Sequence, residues 1–510
     1  MQDRGSYDLT GKRKTFKPVN MTAPEREAEP TMDTPNVPKS KLRLNRPFNQ
    51  NMIVGCILFC LPGIYLALTG LGAGGGKPSS QYVASKTNAI LYGIFTIFGC
   101  LGGSVLNLIG PKLTFVIGAI GYPLYVGGLW YFDRTGNEWF PLFAGAMLGI
   151  SAGFLWTACG FIQLAYAEES QKAMFITIQW AMTAFGGTVG SLIAFGINVH
   201  ATDSSGVSTP VYAVFVTIMC LSIVIAFFCI VKPEDVVRDD GTHLAVFHAT
   251  DARTEIKGIL ELFTDPKILL LLPGIFVAEV ALAIMSSING YFYNLRTRSL
   301  NNVMFEFVMI PFPLALAWIM DTKFVKKRRS RGLLGCTIIG VVTIGTYSSM
   351  AAFIHIYDID RNATPPEVDW TDGRFAWGFI LYLLCGIIYA GFQICGQWVL
   401  GALTNEPAKC ARYAGLYKGI TSLGLMTVFL MDGENVSYKI ENIVQFVLYV
   451  VGLCSLFGIT WFCVKDTNYF LEADVIVPRH VEEEVMVHGM VEQQVSTDVK
   501  DKDVAKAVAA

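Results

Sequence analysis

Apolar and polar stretches alternate along this chain in a regular way. Twelve apolar runs fall at 49–70, 87–108, 112–131, 140–166, 173–197, 211–231, 267–290, 302–320, 332–355, 375–402, 412–431 and 443–464, most of them separated by short polar turns. At 1.5 Å of rise per residue, about twenty residues cross a hydrocarbon core of about 30 Å, so each run predicts a membrane-spanning helix. Six runs precede a longer polar linker at 232–266 and six follow it. The expected fold is all-α and polytopic, with two pseudo-symmetric six-helix halves at 48–231 and 267–465. A disordered arm is expected at 1–47 and a disordered tail, carrying the acidic patch Glu482 to Glu484, at 466–510.

The stretch from Gly145 to Ser191 shows the pattern at its clearest: two apolar arms joined by the polar turn AEESQK. Gly145, Gly149 and Gly153 recur at four-residue spacing, as do Gly186 and Gly190, and small residues so placed let helix backbones approach within lipid. The unit returns later in the chain. Ala152-Gly153-Phe154 is echoed by Ala390-Gly391-Phe392, Glu169 and Lys172 by Glu406 and Lys409, and Gly187 by Gly424, at offsets of 238, 237 and 237 residues. A near-constant offset over two helices and their turn predicts a parallel duplication.

Composition narrows the class. With 53% hydrophobic and 16% charged residues, the chain reads as an integral membrane protein, and nucleic acid is excluded as a partner. No apolar run precedes Phe48, so the first span is expected to serve as the targeting signal. Of twelve cysteines, eleven lie in or at the ends of apolar runs and Cys410 in a polar turn, so no disulfide framework is expected. Basic residues near the membrane number twenty on the side of the termini and linker against eight on the other, which predicts cytosolic termini. The sequons at Asn362 and Asn435 then fall in outer loops.

Two six-helix halves in parallel duplication, with a cytosolic linker, resemble the major facilitator architecture. The turn after the second span keeps that superfamily's frame in Gly103, Gly110 and Lys112, with Asn107 in place of the usual acid; its counterpart has Asp321 followed by Lys326 to Arg329, including Arg328. These residues are read either as gating latches or as plain positive-inside loops. Three stretches are more specific: the run Phe59 to Gly75, FCLPGIYLALTGLGAGG; Leu155-Trp156 to Gly160 with GGTVGS downstream; and Tyr291 to Asn301, YFYNLRTRSLN. They resemble the Unc-ninety-three-like family of ion channel regulatory proteins, particularly fungal members. That resemblance implies a transporter-related membrane protein, some of whose relatives act as channel subunits or as escorts for other membrane proteins. Relatives often carry Asn where this chain has Leu66.

Candidate chemistry is sparse. Glu279, near the middle of the seventh span, is costly facing lipid, so it must line a cavity, find a partner or stay protonated; it reads as an ion or proton site, or as a buried packing residue. Lys418 is its possible counter-charge, although its place toward the cytosolic end favours snorkelling. Trp156 and Gln163 on the fourth span, Gln179 and Trp180 on the fifth, and Gln393 and Gln397 on the tenth are candidate solute contacts, the alternative being cross-helix hydrogen bonds. Arg296 and Arg298 are expected in an outer loop. The run Gly72 to Gly76 lacks the lysine and serine of a phosphate loop, and no cofactor, metal or enzyme signature is found. The two functional readings are an alternating-access transporter and a non-transporting regulator; expected partners are the bilayer, a small solute or ion and, on the second reading, another membrane protein.

Overall fold

The computed structural model describes residues 40–70, 78–198, 209–246, 250–322 and 324–486. We number the long helices α1 to α12 in chain order. They are α1 (47–70), α2 (78–109), α3 (111–135), α4 (Trp139–Ala165), α5 (Lys172–Asn198), α6 (Thr209–Cys229), α7 (Pro266–Phe292), α8 (Leu295–Asp321), α9 (Arg328–Ile356), α10 (Phe375–Leu403), α11 (Pro407–Gly433) and α12 (Tyr438–Cys463). Among the described residues ten helical stretches are long and apolar enough to cross a membrane, and one of these, Lys86–Thr135, is α2 and α3 meeting at a corner. Gly110 makes that corner with φ of 80°, a value that strains any side-chain-bearing residue, and Pro111 opens the next helix, where its missing N–H costs nothing.

Three of the helices are interrupted in mid-membrane, each beside a proline. In α1, Phe59–Gly63 form a π turn around Pro62. In α7, residues 277–280 leave the helix one turn after Pro273, and two of their amides shift to i−3 acceptors: Ala278 donates to Ile275 and Val280 to Val277. In α8, Met309 and Ile310 break the helix just before Pro311. Proline cannot donate to the i−4 carbonyl and crowds the preceding turn, which frees backbone in each case.

Glycines set the closest helix contacts. A Cβ on Gly149 would lie 2.6 Å from the Leu91 carbonyl, and one on Gly99 would lie 2.8 Å from Gly419 Cα. The first brings α4 onto α2; the second brings α2 onto α11, across the two groups of helices. A second contact between the groups joins α5 and α8.

Several boundaries differ from the hydropathy pattern. Residues 295–301, with Arg296 and Arg298, form the first turns of α8 instead of a loop, because Asn294 caps the helix by accepting from the Thr297 amide. Residues 466–486 are no free tail. The Ile476 amide donates to the Leu244 carbonyl, Ala245 bridges Val475, and Asn468 and Tyr469 are buried. Their polarity suits a packed surface as well as a solvated one, so composition alone misplaces them. The Gly72 to Gly76 run and residues 1–39 and 487–510 of the arm and tail lie outside the described residues.

Candidate functional site

Glu279 lies in the α7 interruption, and its side chain turns inward instead of toward lipid, leaving the residue 7% exposed. Its Oε1 accepts from Lys418 Nζ of α11 at 3.0 Å and from Gln393 Nε2 of α10 at 2.8 Å. Lys418 is 5% exposed and does not snorkel: its Nζ also donates to Gln393 Oε1 at 3.1 Å and sits 4.3 Å from the Trp156 ring centre. The short α7 interruption brings Glu279 within reach of this ammonium, and burial then makes pairing cheaper than a lone charge on either side. Gln397 donates to Gln393 Oε1 at 3.3 Å and stands behind the pair.

In front of the pair is a cavity with about 60 Å³ open to water, room for a few solvent molecules. Its walls come from both groups of helices: Tyr65, Tyr92, Trp156 and Trp180 from α1, α2, α4 and α5, and Tyr389 with the ion pair from α10, α7 and α11. Trp180 and Tyr389 meet edge to face across the groups at 5.2 Å. Leu66 also lines it, which makes the wall apolar at this position.

The other amide candidates lie elsewhere. Gln163 Nε2 donates to Gln179 Oε1 at 2.7 Å, and Gln179 Nε2 to Asn51 Oδ1 at 2.7 Å, tying α4, α5 and α1 together away from the cavity. Of the two readings of these residues, the geometry matches the cross-helix tie, with Gln163 Oε1 left without a partner. The phenols of Tyr65, Tyr92 and Tyr122, and Met309 at the α8 break, are cavity residues that the sequence reading missed. A tyrosine in an apolar helix looks like core, and a nearby proline marks only Tyr65, Tyr122 and Met309.

The face bearing the linker is sealed by charged and backbone contacts between the helix groups. Lys172 Nζ donates to the carbonyls of Gly401 and Thr404 and to Asn405 Oδ1 at 2.6, 3.1 and 2.7 Å. Arg328 pairs with Glu169 at 3.0 Å and lies over the Trp398 ring. Burial would raise the Glu169 carboxyl, but Arg328 and then Lys172 outweigh it and hold the group below its ordinary value. Asp321 accepts from the Ala173 and Met174 amides at the start of α5. Asn107 donates to Glu255 Oε2 and to the Ala408 carbonyl, and Arg412 pairs with the same Glu255, which the helix Ala252–Leu262 in the linker presents. Lys112 takes no part: its Nζ lies 4.8 Å from the Phe227 ring centre, on α6. Polarity alone cannot separate this lysine from Arg328, because only the turn's direction decides which helix it meets.

On the opposite face the described residues make fewer polar contacts between the groups. Between the groups, Tyr92 stacks on Phe429 at 5.7 Å and Asn302 donates to Ser191 at 2.8 Å. Within the second group Arg296 binds Asp369 at 2.6 Å, which holds that carboxyl far below its usual range, and Arg361 binds Asp432 and Glu441. Asn362 and Asn435 are exposed on this face.

A sequence profile described as ion channel regulatory protein UNC-93 matches residues 79–303. An uncharacterized membrane protein of Schizosaccharomyces pombe is 43% identical over 419 residues, covering 82% of this chain and 85% of the relative. UNC93-like protein 1 of Arabidopsis thaliana is 32% identical, covering 84% of this chain and 94% of the relative. Among solved structures, a bacterial homologue of the iron transporter ferroportin in an outward-facing state superposes with a TM-score of 0.60 at 11% identity, over 82% of this chain and all of that one. The proton:xylose symporter XylE superposes with a TM-score of 0.58 at 13% identity, over 82% of this chain and 96% of that one. These likenesses show the major facilitator fold.

Proposed function

The chain belongs to the UNC-93 family, and we infer that it works as a secondary transporter, moving a small solute or ion by alternating access of the central cavity to the two faces of the bilayer. The observation that carries this reading is the buried Glu279–Lys418 pair, set at a helix interruption in a cavity walled by both helix groups. Interrupted helices at mid-membrane are where transporters of this kind present binding groups. The ring faces of Trp156, Trp180 and Tyr389 suit the apolar body of a small organic solute, and the ion pair suits a polar head that competes for one partner. Rocking of one helix group against the other would break the contacts of one face and restore those of the other. We place the termini and the linker in the cytosol, on the strength of the basic residues that crowd that face and the exposed Asn362 on the other.

The test is uptake into proteoliposomes, screened over radiolabelled small organic solutes and monovalent cations. Saturable uptake of at least one compound is expected, and Glu279→Gln should lower it by about tenfold or more. Uptake unchanged by that substitution removes Glu279 from the mechanism. The family description favours a second reading, a non-transporting regulator of a channel. No uptake across the screen, with co-purification of a channel subunit, would put that reading first.

A further inference from the structure

Glu306 is a second buried carboxyl that the ion pair does not explain. It sits on α8 at 3% exposure, one helical turn from Asn302, on the α5–α8 contact between the two helix groups. Among the described residues no lysine or arginine pairs with it, and its Oε2 has no hydrogen-bond partner. That oxygen faces Gly187 of α5, where a Cβ would come within 2.5 Å of it, so glycine is what leaves room for the carboxyl. The titratable groups near it are the phenols of Tyr382 and Tyr389 on α10; α5 presents the glycine, and the amides Asn289 and Asn301 of α7 and α8 bond to one another at 2.8 Å. Phenols are uncharged near neutrality, which leaves Glu306 as the group of this stretch of the contact able to change charge, Asp321 meeting α5 only at its linker end. An ionised carboxylate without a cation is the least tolerated state in such surroundings, so in this closed arrangement the group is held as the neutral acid. Tyr389 and Met309, which both line the central cavity, connect it to that space.

We propose that Glu306 is a proton-carrying site, protonated while α5 and α8 are closed on one another and releasing its proton to water when the contact opens. The step is a single O–H dissociation, with the proton passing to solvent and the carboxylate becoming hydrated; closing the contact reverses it. This assignment rests on the alternating-access reading and supplies its coupling ion. Opening of α5 from α8 is then favoured as pH rises, and the neutral acid favours closure.

Two measurements on the purified full chain test this, and neither needs a transported solute. Infrared difference spectra should contain the carbonyl stretch of a protonated carboxyl at neutral pH, retained in Glu279→Gln and absent from Glu306→Gln. Alkylation of a Ser191→Cys thiol on the contact should become about tenfold faster from mildly acid to mildly alkaline pH, after correction for the ionisation of an exposed thiol, and this dependence should vanish when Glu306→Gln is added. Should the amide variant misfold, Glu306→Leu serves in its place with the same expectation. A band unaffected by the Glu306 variants, or an alkylation profile identical with and without the carboxyl, overturns the proposal. Failure of the uptake screen would count against the transporter reading and leave both measurements standing.

Discussion

Glu279 and Glu306 are two buried glutamates on neighbouring membrane helices, each helix broken by a turn beside a proline, yet they are handled in opposite ways. Glu279 meets an ammonium and an amide within 3.0 Å, while Glu306 meets a glycine and has no ion-pair partner among the described residues. The first arrangement stabilises a charge by pairing it; the second tolerates a carboxyl only by keeping it neutral. The same residue type in the same membrane thus yields a fixed ion pair or a labile proton site, and the difference lies in what the facing helix presents. α11 offers a lysine at Glu279, whereas α5 offers the backbone at Glu306.

The strongest way to break this comparison is to remove the ammonium. Lys418→Met should cost about 3–5 kcal/mol of thermal stability in detergent, because it strands Glu279 without a cation, and adding Glu279→Gln should restore most of that. If Lys418→Met unfolds no earlier than the parent, Glu279 is not held as a charge, and the contrast with Glu306 collapses. Next in size is the linker-side seal, where Arg328→Gln should cost about 2 kcal/mol and raise the accessibility of thiols placed along the linker-side half of the cavity. Asn302→Ala on the opposite face removes one neutral hydrogen bond and should cost about 1 kcal/mol, with the outer half becoming more reactive instead. The smallest effect is expected for Glu306→Gln, within about 1 kcal/mol of the parent, since one neutral group replaces another of the same shape. A large loss there would reveal a charged partner and erase the distinction between the two acids.

A pH scan sharpens the comparison with two further acids that lie outside the membrane spans. Glu169 and Glu255 are both held below the ordinary carboxyl value of 4.5. Burial opposes this in each, and it is outweighed by Arg328 and Lys172 at the first and by the Arg412 and Asn107 hydrogen bonds at the second. A depressed carboxyl contributes stability that is complete above its unfolded value and is lost as pH falls through its lower folded value. Thiol accessibility beside the Glu169 and Glu255 contacts should therefore stay flat above pH 4.5 and rise below it, the reverse of the sign expected at the α5–α8 contact. Loosening at these two contacts as pH rises would count against this description of them.

Much of the architecture was readable along the chain. The glycine spacings that marked Gly149 and Gly153 for close packing do meet α2, and Glu279 was singled out because a carboxylate is expensive in an apolar run. The site around it was less legible. Lys418 looked like a snorkelling residue because hydropathy measures depth along one helix and says nothing of which direction the side chain takes. Gln163 and Gln179 looked equivalent to Gln393, yet two of the three bond to one another. Glu306 was passed over because it lies close to the start of its apolar run, one turn after the polar pair Asn301 and Asn302, where a charge looks inexpensive.

By itself, then, the sequence determined an all-helical membrane protein of a recognisable family, since apolar run length, glycine spacing and short motifs are properties of contiguous residues. Tertiary structure alone decided which acid would carry a partner. Glu279 and Lys418 are 139 positions apart, Lys172 and Asn405 233, and Gly187 stands against a residue on the far side of the linker. The energy of a charge in a membrane depends on atoms within a few ångströms in space, and no local pattern along the chain specifies those.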